Sequence, residues 1–151
     1  MATTYSFVDT TVSIFGPGGG YIISQGVADE GITIAMRGDK GEVIAAADGT
    51  PIHNLFADKT ATITIRLLRN SPANAVLSGL YKYQTQNSAN HGKNTIIISN
   101  TPLGDVHTAS FVGFKKQPTA LYGKGNAIYE WEFNVGSIEM TFLGGSLTGN
   151  V

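Results

Sequence analysis

A chain of 151 residues with 42% apolar content is long enough to bury one core as a single domain, without metals or crosslinks. The absence of cysteine excludes a disulfide framework and thiol chemistry, and a net charge of −1 argues against a strongly basic nucleic-acid binder. Only 14% of the residues are charged and 19 are glycine, against roughly 25% and 7% in ordinary soluble domains, so part of the surface is expected to be covered, self-association being the simplest cover.

Residues 5–15 are rich in β-branched and aromatic side chains, with Val12 and Ile14 on one face and Thr11 and Ser13 on the other, and read as a first strand. Gly16-Pro17-Gly18-Gly19-Gly20 ends it and Tyr21-Ile22-Ile23-Ser24 resumes, which is a hairpin with a loose tip. A phosphate cradle does not fit there, because no Gly-Lys-Ser/Thr follows and no helix begins. Gly31-Ile32-Thr33-Ile34-Ala35-Met36 alternates again and ends in the polar turn Arg37-Gly38-Asp39-Lys40-Gly41. From residue 37 to 59 the chain carries more turn chemistry than core, including Asp48-Gly49-Thr50-Pro51, and is expected to project as a long hairpin or loop.

The clearest local signal comes next. Thr60-Ala61-Thr62-Ile63-Thr64-Ile65-Arg66-Leu67 alternates with period two, the pattern of a strand with one face buried and one wet. Arg69-Asn70-Ser71-Pro72 stops it, with Ser71 placed to accept a bond from a free helix amide and Pro72 suited to a first helical turn. Ala73, Val76, Leu77, Leu80, Tyr81 and Gln84 recur at spacings of three and four, so a helix over about 71–86 must lie on a sheet. A polar loop at 88–94, a strand Thr95-Ile96-Ile97-Ile98-Ser99, a turn at 102–105 and a strand from 106 to 114 follow. After the loop Tyr122-Gly123-Lys124-Gly125-Asn126, the inner face of the next strand is Tyr129, Trp131, Phe133 and Val135, while Glu130, Glu132 and Asn134 point outward. Residues 138–143 continue β-like, and 144–151 read as a loose tail.

No catalytic set stands out. His53, His91 and His107 have no metal-ligand spacing, and no Gly-x-Ser-x-Gly elbow exists. Asp105 and His107 share a strand face but lack a placed nucleophile; Glu130 and Glu132 read as a solvated face rather than a glycosidase pair. Lys115 and Lys116, with Lys124 nearby, read as ordinary solvent-facing charge. The expectation is therefore no enzyme, no metal and no cofactor. Met1-Ala2-Thr3-Thr4-Tyr5 lacks the basic start and apolar run of a signal peptide and no run reaches membrane-spanning length, so the protein is expected to be made and kept in the cytosol until assembled, without membrane contact.

The segment Arg66-Leu67-Leu68-Arg69-Asn70-Ser71-Pro72-Ala73-Asn74-Ala75-Val76-Leu77-Ser78, with Leu80-Tyr81 and residues 84–88, resembles the tail tube proteins of contractile-tailed bacteriophages. Tyr5-Ser6-Phe7-Val8-Asp9-Thr10, Ile14-Phe15-Gly16-Pro17-Gly18-Gly19, Glu30-Gly31-Ile32-Thr33, Ala47-Asp48-Gly49, Phe114-Lys115-Lys116 and Glu130-Trp131-Glu132-Phe133 follow the same family's successive landmarks. The resemblance implies a mainly β subunit, a β-sandwich or barrel-like fold with one helix, six copies per ring, and rings stacked into a hollow tube inside a contractile sheath through which DNA enters the host. The implied partners are further copies of the chain, the sheath protein, baseplate and tail terminator proteins, and DNA held without sequence preference, in a virion assembled in the bacterial cytoplasm.

On that resemblance the long loop reaches the next ring, with Asp39, Lys40, Glu42, Asp48, His53 and Asp58 as its contact residues. The polar faces of two strands, Thr62, Thr64 and Arg66 and Glu130, Glu132 and Asn134, are the residues expected to line the lumen. A tube from a phage-like bacteriocin or secretion system is the neighbouring alternative. A carbohydrate-binding β module, suggested by Tyr21, Tyr122, Tyr129 and Trp131, is the alternative of another class.

Overall fold

A computed structural model describes residues 10–23, 27–100, 104–125 and 127–142. Among them the alternating stretches form nine strands: β1 (Thr10–Gly16), β2 (Gly19–Ile23), β3 (Val27–Met36), β4 (Gly41–Ala45), β5 (Pro51–Leu55), β6 (Ala61–Leu68), β7 (Asn94–Asn100), β8 (Asp105–Lys116) and β9 (Ile128–Thr141). The stripe at helical spacing becomes α1 (Ala73–Thr85), followed by a 3-10 turn at Ser88–Asn90. The mainly β architecture with one packed helix expected from the sequence is what forms. Residues 5–9 of the first expected strand, Ser24, the Pro102-Leu103 turn, Asn126 and the 144–151 tail lie outside the described residues.

Seven strands build one sheet in the order β2-β1-β7-β8-β9-β6-β3, every neighbouring pair antiparallel, while β4 and β5 pair only with each other. β2 and β3 are the hydrogen-bonding edges, yet the sheet curls until Ile32 and Ile34 of β3 line the same cleft as Thr10, Ile98 and His107 from β1, β7 and β8. One face each of β1, β6, β7 and β9 is buried, and Ile32, Ile34 and Met36 of β3 pack half-buried against the same core. Val12 and Ile14, Ile63, Ile65 and Leu67, Ile96, and Trp131, Phe133 and Val135 meet in a single core, each large side chain contributing roughly 1.5–3 kcal/mol of burial.

Helix α1 lays Ala73, Leu77, Leu80 and Gln84 on this core. Its start is as the sequence requires: Pro72 already has helical angles (φ −64°, ψ −20°), and Ser71 Oγ accepts the Ala73 amide at 3.3 Å. Polar anchors fix the helix at both ends. Asn74 Nδ2 donates to the Leu68 carbonyl at 2.9 Å, and its Oδ1 accepts the Trp131 indole N–H at 2.9 Å, tying the first turn to β6 and β9. At the last turn Gln84 and Asn94, both fully buried, exchange two amide hydrogen bonds of 2.7 and 2.6 Å. The remaining amide protons go to the carbonyls of Pro17 (2.9 Å) and Val112 (3.0 Å), so one pair joins α1, the β1–β2 turn, β7 and β8. Gly16 is needed beside it, because a Cβ there would stand 1.8 Å from Asn94 Oδ1.

The last strand continues as the sequence suggested, through to Thr141: β9 is one strand of 14 residues whose buried positions run Trp131, Phe133, Val135 and then Ile138. The phase slips by one residue at Gly136-Ser137, and β8 slips beside it, from Ala109 to Val112. Phe111 holds a left-handed φ of 55° there, and a Cβ on Gly136 would approach its Cβ to 2.8 Å. Only a glycine opposite the bulge lets both strands bend together.

Replacing Asn94 with alanine orphans the Gln84 amide in the core, so Asn94→Ala is expected to lose about 2–3 kcal/mol in urea unfolding, whereas Ser99→Ala on the half-exposed opposite face of β7 should change stability by less than about 0.5 kcal/mol.

Candidate functional site

Two surfaces are left once the core is closed. The first is the outer face of β6 and β9. Their register places Thr62 opposite Asn134, Thr64 opposite Glu132 and Arg66 opposite Glu130, so the six residues singled out on two separate strands form three directly facing pairs on one face. Arg66 Nε lies 3.3 Å from Glu130 Oε1, and its Nη1 donates to Thr33 Oγ1 at 2.9 Å, carrying the polar face onto β3. On the other flank Lys116 Nζ is 3.1 Å from Glu132 Oε2. Lys116 reaches that face because the β8–β9 register shifts by one between Phe114 and Lys116. Further along, Lys59 Nζ lies 3.4 Å from Glu139 Oε1. Such partly exposed pairs add at most about 1 kcal/mol each to stability.

The second surface is the β4–β5 hairpin. All five residues of β4 and four of the five in β5 are exposed. Asp48 closes its tip by accepting the Thr50 amide at 3.0 Å, and Gly49 takes a φ of 86°. Asp58 anchors the base, accepting the Thr60 hydroxyl at 2.6 Å and the Thr60 amide at 2.9 Å; Lys40 Nζ donates to the Phe56 carbonyl at 2.9 Å. These contacts hold the Asp48 and Asp58 carboxyls below the usual carboxylate range, the Thr50 backbone bond leading at Asp48 and the Thr60 hydroxyl at Asp58. Glu42 faces Asn54, and His53 faces Val43. The six charged or titratable residues named from the sequence thus spread from base to tip, and three of them shape the hairpin itself. What the hairpin displays most is apolar: Val43, Ile44, Ile52, Leu55 (86% exposed) and the adjoining Phe56.

The carboxylate pair and the tryptophan singled out for other chemistries are used in the structure otherwise. Glu130 and Glu132 each face a cation from a neighbouring strand rather than a shared cleft. Trp131, 3% exposed, is enclosed between α1 and the core, its ring 6.0 Å from that of Phe114, so it offers no stacking platform to a sugar. Among the described residues no group of three or more His, Asp or Glu side chains is arranged to hold a metal ion. His107 is buried against Phe142, ring centroids 4.7 Å apart; burial pushes its pKa below 6.5, with the Asp105 charge opposing.

The family model for the bacteriophage PhiTE tail tube protein matches residues 1–144. This chain belongs to that tail tube family. No curated protein sequence gives a significant match. Among solved structures, a chain of an extracellular contractile injection system, the PVC sheath–tube complex in its extended state, superposes with a TM-score of 0.59 at 12% identity, covering 92% of both chains. A chain from the anti-feeding prophage tube-terminating cap gives 0.56 at 11% identity, covering 94% of this chain and 95% of the other. A chain from the sixfold-symmetrised anti-feeding prophage baseplate gives 0.52 at 12% identity, covering 97% and 100%. At such identities the likeness is one of fold.

A tail tube protein is a structural component and not an enzyme, in keeping with the missing catalytic set. In it, sequence reasoning found the polar faces of β6 and β9 but not Lys116, Lys59 or Thr33, whose positions depend on strand register. It also named the hairpin's charges and passed over its apolar side chains, although Val43, Ile44, Ile52 and Leu55 stood in the same stretch.

His107 is expected to make the subunit sensitive to mild acid. Its folded-state pKa lies below the unfolded value of 6.5, so the unfolded chain takes up the proton first; the contribution to stability is complete above that value and is lost as pH falls below it. Unfolding free energy of the wild type is expected to decline as pH falls below about 6.5, and His107→Phe should flatten that slope.

Proposed function

We propose that this tail tube protein assembles into hexameric rings that stack into a hollow conduit inside a contractile sheath, through which DNA passes into the host. The hairpin is the observation that carries this reading: two strands with apolar residues on both sides, paired only with each other, need a neighbour to cover them. It is the contact to the adjacent ring, with Val43, Ile44, Ile52, Leu55 and Phe56 entering the neighbour and Asp39, Glu42 and His53 at the rim. The polar face formed by Thr62, Thr64, Arg66, Glu130, Glu132 and Asn134 lines the lumen, opposite the face closed by the core. Exposed apolar side chains elsewhere, such as Ile22 on the β2 edge, fit burial between copies within a ring.

The tube's partners are its own copies, the sheath, the baseplate and the tail terminator, within a virion assembled in the host cytoplasm. Sheath–tube, cap and baseplate structures whose chains share the fold support this set, and the sixfold symmetry of the baseplate structure supports six copies per ring. A conduit of a phage-like injection particle is the second reading, favoured by the same structures, since the fold suits either cargo.

Deleting residues 41–51 is expected to leave a folded subunit, with a wild-type near-UV spectrum and a cooperative unfolding transition, that no longer forms tubes in the electron microscope. Leu55→Asp, on a side chain 86% exposed, should shift monomer stability by less than about 0.5 kcal/mol while shortening or abolishing tubes. Long tubes from both variants would remove the hairpin from stacking.

A further inference from the structure

The outer face of β9 carries three carboxylates, Glu130, Glu132 and Glu139, and each lies within 3.4 Å of a cation from a different neighbouring segment: Arg66 on β6, Lys116 on β8 and Lys59 just before β6. Lys59 and Arg66 come from one stretch at and just before β6, Lys116 from β8 some fifty residues on, and Lys116 reaches its partner through the one-residue register shift near the end of β8. Each pair keeps one carboxylate or cation more than half accessible (Glu130 53%, Lys116 66%, Glu139 75%), and partly exposed pairs contribute little to folding, so stability alone does not account for the matching. Paired charges 3–4 Å apart act at a distance as small dipoles, whose field falls off much faster than that of single ions. The remaining side chains of the three facing pairs, Thr62, Thr64 and Asn134, are neutral.

We infer that this face is a charge-cancelled wall, built so that a polyanion can slide along it without being held or expelled. The inference rests on the reading of the face as the lumen. Unpaired cations repeated around a ring and along a tube would bind phosphates by counterion release, each neutralised phosphate adding about 0.9 to the salt slope for duplex DNA. Unpaired carboxylates would raise a repulsive barrier to entry. Matching each carboxylate on the wall with one cation removes both effects while keeping the surface wet.

The test uses assembled tubes and short duplex DNA, with retention measured by co-sedimentation from low to high salt. The triple variant Glu130→Gln/Glu132→Gln/Glu139→Gln strips the acids and leaves the cations. It is expected to retain DNA in a salt-sensitive way, while the wild type and a sixfold variant that also carries Arg66→Gln, Lys116→Gln and Lys59→Gln retain none. A triple variant that retains no more DNA than the wild type, or a wild type that retains as much as the triple variant, overturns the inference. If the triple variant does not form tubes, its monomer is run on a heparin column, where elution at higher salt than wild type is expected and equal elution counts against cancellation. The lumen reading is tested separately. Because the chain has no cysteine, Asn134→Cys gives one thiol, and in assembled tubes a small maleimide should label it while a maleimide on a particle wider than the tube bore should not. Equal labelling by both puts the face on the exterior, whatever the DNA result.

Discussion

Among the described residues no third strand pairs with the β4–β5 hairpin, and a two-stranded hairpin by itself is marginal in water. Ile44 faces Ile52 across β4 and β5, Val43 lies on the other side, and Leu55 and, to a lesser degree, Phe56 are exposed beyond them. Local bonds hold its shape: Asp48 at the tip, Asp58 and Lys40 at the base. Those bonds order the backbone but cover no apolar area, and the proposed stacking of rings supplies the cover from a neighbouring copy. The same logic applies to the low charge of the whole chain, because a surface that is to be buried between copies has no use for solvating lysines and glutamates.

Strand β9 links the core to the outer face. Alternate residues send Trp131, Phe133 and Val135 into the core and Glu130, Glu132 and Asn134 outward, so a one-residue slip would destroy both surfaces together. Register is therefore held from several directions. Trp131 is hydrogen-bonded to Asn74 on the helix, Phe114 packs 4.9 Å from Phe133, and the paired bend at Phe111 and Gly136 marks where the alternation changes phase. The buried Gln84–Asn94 pair does similar work at the other end of α1, because two side-chain amides that satisfy each other accept only one placement of helix against sheet.

Most of the elements were legible because their period is local. The two-residue alternation of 60–67 and 129–135 and the three-four spacing of 73–84 each fix a buried face without knowledge of the rest of the chain. What was not legible depends on residues distant in sequence. Asn94 looks like part of a polar loop until Gln84 is brought beside it, and Lys116 looks like ordinary surface charge until a bulge turns it toward Glu132. In the 37–59 segment turn residues drew attention to the charges, whereas in the folded hairpin several of those charges bond within the hairpin itself and its apolar side chains are what remain exposed.

The central claim is that the surface this chain leaves uncovered is closed by copies of itself. Negative-stain electron microscopy of the purified protein across a concentration series, with mass by light scattering on the same samples, addresses it most directly. The account predicts rings or hollow tubes of uniform width whose mass grows with concentration. A particle of single-chain mass at every concentration, with no ring or tube in any field, would contradict it.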